Sequence, residues 1–316
     1  MERVEVSTKV AGIDVSKSKL DVAKHGASEA VRFANNAEGF EQLGSWLAAE
    51  GIERVGLEAT GGYERAVVSW LHAHGYEVVV HQPLEVRLFA RLKRRRAKND
   101  RIDAIMIAAA TAQVDTVKAA ADPLLVELAE RMTAYEQASD QLARLQHFLE
   151  HVTLADLKAS YLEQVQHAKA WKHQMLVAVV TRIKSRADLQ RRYALLMSLP
   201  GVGPVVAAGL VVRMPELGNL SPAQAASLLG VAPFDHDSGV FKGHRRITGG
   251  RARPRRLVYM SALAARRHDP GFRAFADRLE AAGKKPKVIL VAVMRKIIQA
   301  ANLILSRGTP WTLRQA

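Results

Sequence analysis

A few acids and one serine in this chain have the type and spacing to do chemistry on phosphate. Asp14 lies inside the apolar run "AGIDVS", Glu58 closes "GLEAT" just before Gly61 and Gly62, and Asp100 and Asp103 stand in "NDRIDA". A carboxylate in the middle of an apolar strand is costly to desolvate without a partner. A divalent cation is one such partner. With oxygen donors, no cysteine and no strong histidine cluster, Mg2+ or Mn2+ suits the set better than zinc. Two such ions can clamp the attacking and leaving oxygens of a phosphoryl transfer. Each acid also has a plainer reading. Asp100 can cap a helix, Asp103 can sit in a first turn against the helix dipole, Glu58 can pair with an arginine, and Asp14 can be a satisfied structural residue. Ser238 lies in "APFDHDSGVFKGHRRITGG", a segment with neither helical nor strand period. No G-x-S-x-G elbow surrounds it, so taken alone it reads as a turn serine rather than a nucleophile.

Basic residues abut both candidates. "RLKRRRAK", with Arg94, Arg95, Arg96 and Lys98, directly precedes the Asp100/Asp103 pair. "KGHRRITGGRARPRR", with Lys242, Arg245, Arg246 and Arg251, directly follows Ser238. The planar fork of arginine suits phosphate, so we expect these runs to hold a nucleic-acid backbone rather than to be a solvated face. Few aromatics interleave with them, so base stacking is not their evident role. "LPGVGPVVAAGL" has the form of the hairpin in a helix-hairpin-helix element. Gly201 and Gly203 there let backbone approach closely, and amides at a helix start can bind phosphate without reading sequence. The plain alternative is a Pro-Gly turn.

The elements that must position these residues follow from periodicity. "KVAGIDVS", "KLDVAKHG" and "AVRFANN" predict three short antiparallel strands. "AEGFEQLGSWLAAEG" predicts a helix, "RVGLEAT" a strand, "ERAVVSWLHAHG" a helix, "YEVVVHQP" a strand and "RIDAIMIAAATAQ" a helix. The pattern is βββ-α-β-α-β-α, an α/β domain with a mixed sheet over residues 1–115. Strand Asp, strand-end Glu and a helical acid pair on this pattern are how a ribonuclease H-like nuclease core is built. Residues 116–190 lack glycine after Pro123 and predict long helices, read as a linker or as a coiled-coil dimerisation arm. Residues 191–316 predict a mainly helical domain. The expected fold class is therefore α/β plus all-α.

Bulk composition narrows the partners. The chain has 316 residues, 48% hydrophobic and 24% charged, with a formal net charge of +15. Such an excess points to a polyanion. The apolar runs "PVVAAGLVV" and "VILVAVM" are too short for a bilayer, which leaves nucleic acid and no membrane as the expected partners. The absence of cysteine removes disulfides, Cys-ligated zinc and thiol nucleophiles. There is no zinc-protease helix, P-loop or dinucleotide fingerprint.

Along nearly its whole length the chain resembles the DEDD-type insertion-sequence transposases, the Piv/MooV group of recombinases. "AGIDVSKSKLDVA", "LEATGGYE" and "RRAKNDRIDA" carry the N-terminal likeness. "LPGVGPVVAAGL", "LLGVAPFDHDSGVFKGHRRITGGRARPRRLVYMSAL" and "KPKVILVAVMRKI" carry the C-terminal one. The resemblance implies a RuvC-like domain whose magnesium-binding tetrad falls on Asp14, Glu58, Asp100 and Asp103. It implies a nucleophilic serine at Ser238 that becomes linked to a DNA end, working with the acids of another subunit. It further implies donor and target DNA as substrates, a structured bridge RNA as guide, a homodimer or homotetramer, and a cytoplasmic, nucleoid-associated protein.

Overall fold

The computed structural model describes residues 9–93, 100–117, 122–234 and 246–312. Of the residues singled out above, Arg94, Arg95, Arg96, Lys98, Ser238, Lys242 and Arg245 lie outside the described residues. The chain divides into two compact units, residues 1–121 and 122–316.

In the first unit β1 (Val10–Val15), β2 (Lys19–Lys24) and β3 (Val31–Ala34) form the expected antiparallel meander. β4 (Arg54–Glu58) and β5 (Glu77–His81) add in parallel on the far side of β1, giving the order β3-β2-β1-β4-β5. Parallel neighbours need crossovers. These are α1 (Ala37–Ala49), whose start Asn36 caps by accepting from the Gly39 amide, and α2 (Arg65–Ala73). One face of the sheet packs on both helices: Ile13, Leu20, Val22, Val55 and Leu57 meet Phe40, Leu43, Leu47, Val67 and Leu71.

The opposite face carries α4 (Asp100–Thr111), which contacts β1, β2 and β4. Its approach depends on two glycines. A Cβ on Gly12 would lie 2.2 Å from the Ala108 amide nitrogen and 2.4 Å from the Ala104 carbonyl oxygen. One on Gly56 would lie 1.8 Å from Thr111 Oγ1. Ahead of α4 runs α3 (Pro83–Leu92), a helix absent from the expected pattern. Its signals are local: Pro83 at the first helical position and a reciprocal capping box between Gln82 and Glu85.

The second unit is mostly helical. α5 (Pro123–Leu149) and α6 (Ala155–Lys184) form an antiparallel hairpin. Leu142, Val165 and Ala168 pack near its turn, and Leu128 and Met132 pack with Val179 and Ile183 at its open end. That open end shares one core with the helices that follow, so the segment expected as an arm is rooted in this unit. Those helices are α7 (Ala187–Met197), α8 (Pro204–Arg213), α9 (Pro222–Leu229), α10 (Ala252–His268), α11 (Pro270–Ala281) and α12 (Pro286–Arg307). Between α9 and α10 a two-stranded stem pairs β6 (Pro233–Phe234) with β7 (Arg246–Ile247). α12 is the hub, packing on α7, α9, α10 and α11. It is longer than the run "VILVAVM" suggests. By length and composition it is the one helix among the described residues apolar enough to cross a membrane, but 56% of its most apolar window is buried in this core.

The glycine contacts give a sharp contrast. Gly12→Ala forces helix backbone off strand backbone and should cost at least ~3 kcal/mol, at or beyond the upper end of ordinary overpacking. Gly203→Ala meets nothing within 4 Å and keeps a negative φ of −94°, so it should change stability by less than about 1 kcal/mol. Urea unfolding of the two variants checks both.

Candidate active site

Sheet register and alternation place the acids. Side chains alternate faces along a strand, and residues directly opposite across a pair share a face. Gly12 faces α4, so Asp14 does too. Gly56 faces α4, so Glu58 does too. β1 and β4 run parallel with Ile13 beside Leu57, and one step further Asp14 adjoins Glu58 at the carboxyl ends of both strands. Asp100 and Asp103 occupy the first turn of α4, Asp100 one turn before and Asp103 directly before Ala104, whose carbonyl sits on Gly12. The side chains of Asp14, Glu58 and Asp103 are each half-buried. Asp14 and Glu58 come from different strands and share the face of the sheet that α4, with Asp103 in its first turn, packs against. As a donor set, half-buried carboxylate oxygens with no thiol fit a hard divalent cation.

Sequence reasoning passed over three supports of this face. Asp21 lies opposite Asp14 and is 3% exposed. Arg32 grips it with two bonds of 2.8 and 3.3 Å, and Lys19 stands 3.8 Å away, so its charge is balanced from within the sheet. His81 lies beside Glu58 on β5 and is buried. Its Nε2 is 2.8 Å from Thr111 Oγ1, whose proton goes to the Ile107 carbonyl at 2.7 Å. A hydroxyl has one proton to give, so it must accept from His81, which fixes the Nε2–H tautomer. Burial lowers the His81 pKa; Glu85, 4.0 Å from Nδ1, opposes this less strongly. The third support is Glu64, which folds the "ATGG" turn that follows Glu58. Its Oε2 accepts from the Thr60 hydroxyl at 2.7 Å and from the Gly62 and Thr60 amides at 2.9 and 3.2 Å. Burial pushes its pKa up, but these bonds together outweigh it and hold the carboxyl below its ordinary value.

In the second unit the stem that brackets Ser238 is clasped at its base. Gly230, Gly249 and Gly250 all have positive φ (80°, 66° and 68°). A Cβ on Gly250 would lie 2.3 Å from the Gly230 nitrogen, and the Arg255 guanidinium bonds the Gly249 carbonyl at 2.6 Å. The arginines after the clasp brace the unit. Arg251 forms a two-pronged bridge to Glu216 at 2.6 and 2.8 Å and bonds the Arg213 carbonyl at 2.7 Å. Arg253 pairs with Glu136, and Arg256 reaches Asp140 at 3.3 Å. The fork of Arg251, expected on phosphate, is thus occupied within the protein. Arg246 lies in β7. Gly201 and Gly203 prove unequal. Gly201 has φ +76° and packs on α10, where a Cβ would lie 2.4 Å from the Ser261 carbonyl oxygen. Gly203 starts α8 facing open space.

A further group was not foreseen. His147, Glu150 and His151, at the turn of the α5–α6 hairpin, bring one donor atom each within 4.8 Å of one another. All three are exposed, and the group lies in the other unit from the acids.

Comparison with known proteins decides the family. Residues 11–158 match the DEDD transposase model of IS110, described as a transposase, and residues 193–277 match the transposase family IS116/IS110/IS902. The chain belongs to the IS110 transposase family. It is a DNA recombinase. Relatives include the pilin gene-inverting proteins of Moraxella bovis and Moraxella lacunata, each 26% identical over 320 residues, covering 96% of this chain and 97% of the relative. A 43.6 kDa protein of insertion element IS110 from Streptomyces coelicolor is 31% identical over 140 residues, 43% of this chain and 34% of that protein. The first family match covers Asp14, Glu58, Asp100 and Asp103, and the second covers the end of α7, α8, the clasp and Ser238.

The transposase should lose stability in acid through His81. Its pKa is depressed on folding, so between that value and the ordinary one near 6.5 only the unfolded chain binds the proton. The contribution is complete above about pH 6.5 and is lost as pH falls below it. Thermal unfolding between pH 7.5 and 5.5 should show a steeper fall for wild type than for His81→Gln, whose amide can still donate to Thr111. Equal slopes would contradict the assignment.

Proposed function

We propose that this transposase cuts and rejoins DNA at insertion-sequence ends through a serine–phosphate intermediate. The observation that supports the reading is that Asp14 and Glu58 share the sheet face on which α4 packs, with Asp100 and Asp103 in the first turn of that helix. These acids would hold Mg2+ or Mn2+, which when bound polarises phosphate oxygens and lowers the pKa of an attacking hydroxyl. Ser238 Oγ forms the bond to phosphorus while the phosphorus–oxygen bond to the departing strand breaks. The serine proton ends on the departing oxygen, directly or through solvent. Attack by the hydroxyl of an incoming strand reverses these bonds, so the energy of the broken linkage is kept for rejoining. Hydrolysis by water would discard it.

The same reading assigns the remaining parts. Arg94, Arg95, Arg96, Lys98, Lys242, Arg245 and Arg246 hold nucleic-acid backbone, supported by the net charge of +15. The α7–α8 turn acts as a helix-hairpin-helix element through the open Gly203. A structured bridge RNA guides donor and target DNA, as the family resemblance implies. The protein works as a homodimer or homotetramer in which the serine of one copy meets the acids of another. The α5–α6 hairpin is the dimerisation arm, coiling with its counterpart. Exposed Phe148, Leu154, Leu157 and Trp171 along it support this.

Incubation with nicked target DNA, guide RNA and Mg2+ should give a covalent protein–DNA adduct that Ser238→Ala abolishes. Asp14→Asn should lower adduct formation by at least about 100-fold, in line with losing transition-state charge stabilisation. Cleavage that persists in Ser238→Ala but is lost in Asp14→Asn would instead establish a water-using, junction-resolvase-like nuclease. DNA affinity should fall steeply with salt, as phosphate-dominated binding requires; a flat dependence would remove the role given to the arginine runs.

A further inference from the structure

Beside the stem, α10 and α12 enclose an open groove of about 1100 Å³. Its floor is apolar: Ile247 from β7, Val288 and Val291 from α12, and Tyr259 from α10. Ile247, Tyr259 and Val288 are 40%, 44% and 53% exposed, unusual for side chains of this size so close together. Its walls are cationic. Lys287 and Arg295 line it from α12, Lys284 from the turn before that helix, and Arg256 from α10. No carboxylate lines it among the described residues. Arg255, also in the wall, is held by the Gly249 carbonyl, and Arg256 has an exposed partner in Asp140. Lys284, Lys287 and Arg295 have no ion pair among the described residues, whereas Arg213, Arg251 and Arg253 of the same unit are bridged.

Apolar floor and unpaired cations together select an occupant. A protein partner with an apolar face would leave these cations uncompensated. A duplex would satisfy the cations but keeps its base faces stacked inside, away from the floor. A single strand offers both a phosphate line and open base faces that stack on aromatic side chains. We propose that this groove holds a single strand of DNA, with phosphates on Lys284, Lys287 and Arg295 and a base against Tyr259. The proposal rests on the reading of the chain as a DNA recombinase. It places strand DNA beside the stem that precedes Ser238 in the chain, since Pro233 and Ile247 of the stem line the groove.

The test measures binding without chemistry, in EDTA, using the full chain and fluorescein-labelled dT20, with a 20-base-pair duplex and rU20 as comparators. The double variant Lys287→Glu/Arg295→Glu should weaken dT20 binding at least tenfold. Its log affinity against log salt should be shallower by about 1.4, since each contact on a single strand contributes roughly 0.7. Tyr259→Ala should weaken dT20 about tenfold with an unchanged salt slope, because stacking releases no counterion. A strand carrying 5-iododeoxyuridine should photo-crosslink to the peptide holding Tyr259. dT20 affinity within twofold of wild type in both variants, equal losses for the duplex, or a preference for rU20 would each overturn the proposal. Milder Lys287→Gln and Arg295→Gln variants keep the test readable if charge reversal disturbs folding. Because nothing is cleaved in EDTA, failure here leaves the serine mechanism standing, and loss of the serine adduct leaves the groove standing.

Discussion

The first unit rests on a contact between backbones. α4 lies backbone on backbone over β1 at Gly12, and at Gly56 the Thr111 side chain seats directly on β4, because residues 12 and 56 are glycine. Any Cβ there would push the helix outward and carry its first turn away from the strand ends. The two faces of the sheet are therefore built by different rules. The α1/α2 face is filled by interdigitating apolar side chains, which tolerate repacking. The α4 face is set by hard backbone contact, which fixes the separation of helix and sheet to fractions of an ångström. Carboxylates that must share one ion need that kind of fixity, because their oxygens cannot compensate for a drifting scaffold. The buried His81–Thr111 bond locks the other end of α4 to β5 by the same logic.

The second unit solves a similar problem differently. A two-residue stem is too short to be stable by itself. The clasp of Gly230 against Gly250, with Arg255 bonded across it, attaches the stem to α9 and α10 instead. The arginines that follow are anchors for it. Arg251 ties the start of α10 to Glu216, and Arg253 ties it to Glu136 on α5. One basic run thus has two natures: its second half is bound inside the protein, while its first half borders the segment of Ser238.

Much of this was legible in the sequence. The sheet, its crossovers and α4 follow from alternating and helical periods, and the sequence singles out Asp14 as an acid inside an apolar run, Glu58 as one at a strand end and Asp103 as one of a pair at a helix start. What was missed lacks a local signal or has a misleading one. Asp21 alternates with apolar neighbours just as a surface residue of a half-exposed strand would; only register puts it opposite Asp14. His81 and Thr111 are thirty positions apart and look ordinary until β5 and α4 are stacked. Arg251 looks like a phosphate ligand because composition cannot show that Glu216 is beside it. α3 is the exception, since its proline and capping box were there to be read. The groove is invisible in sequence, being made of residues from α10, α12 and the stem.

α12 has a consequence for how the protein comes into being. The first unit is complete once residue 121 has been synthesised and can fold while the rest is still being made. The second unit cannot close at that stage. Its hub, the strip from Ile289 to Ile304 against which α7, α9, α10 and α11 pack, is the last of its helices to be made. Until then the apolar faces of those earlier helices wait in water, and the segment that will cover them is itself apolar enough to be mistaken for a membrane span. A nascent chain would thus present a finished first unit attached to an open, sticky, apolar half. The second unit is complete only when synthesis reaches Arg307, which builds a delay into the protein between translation and action.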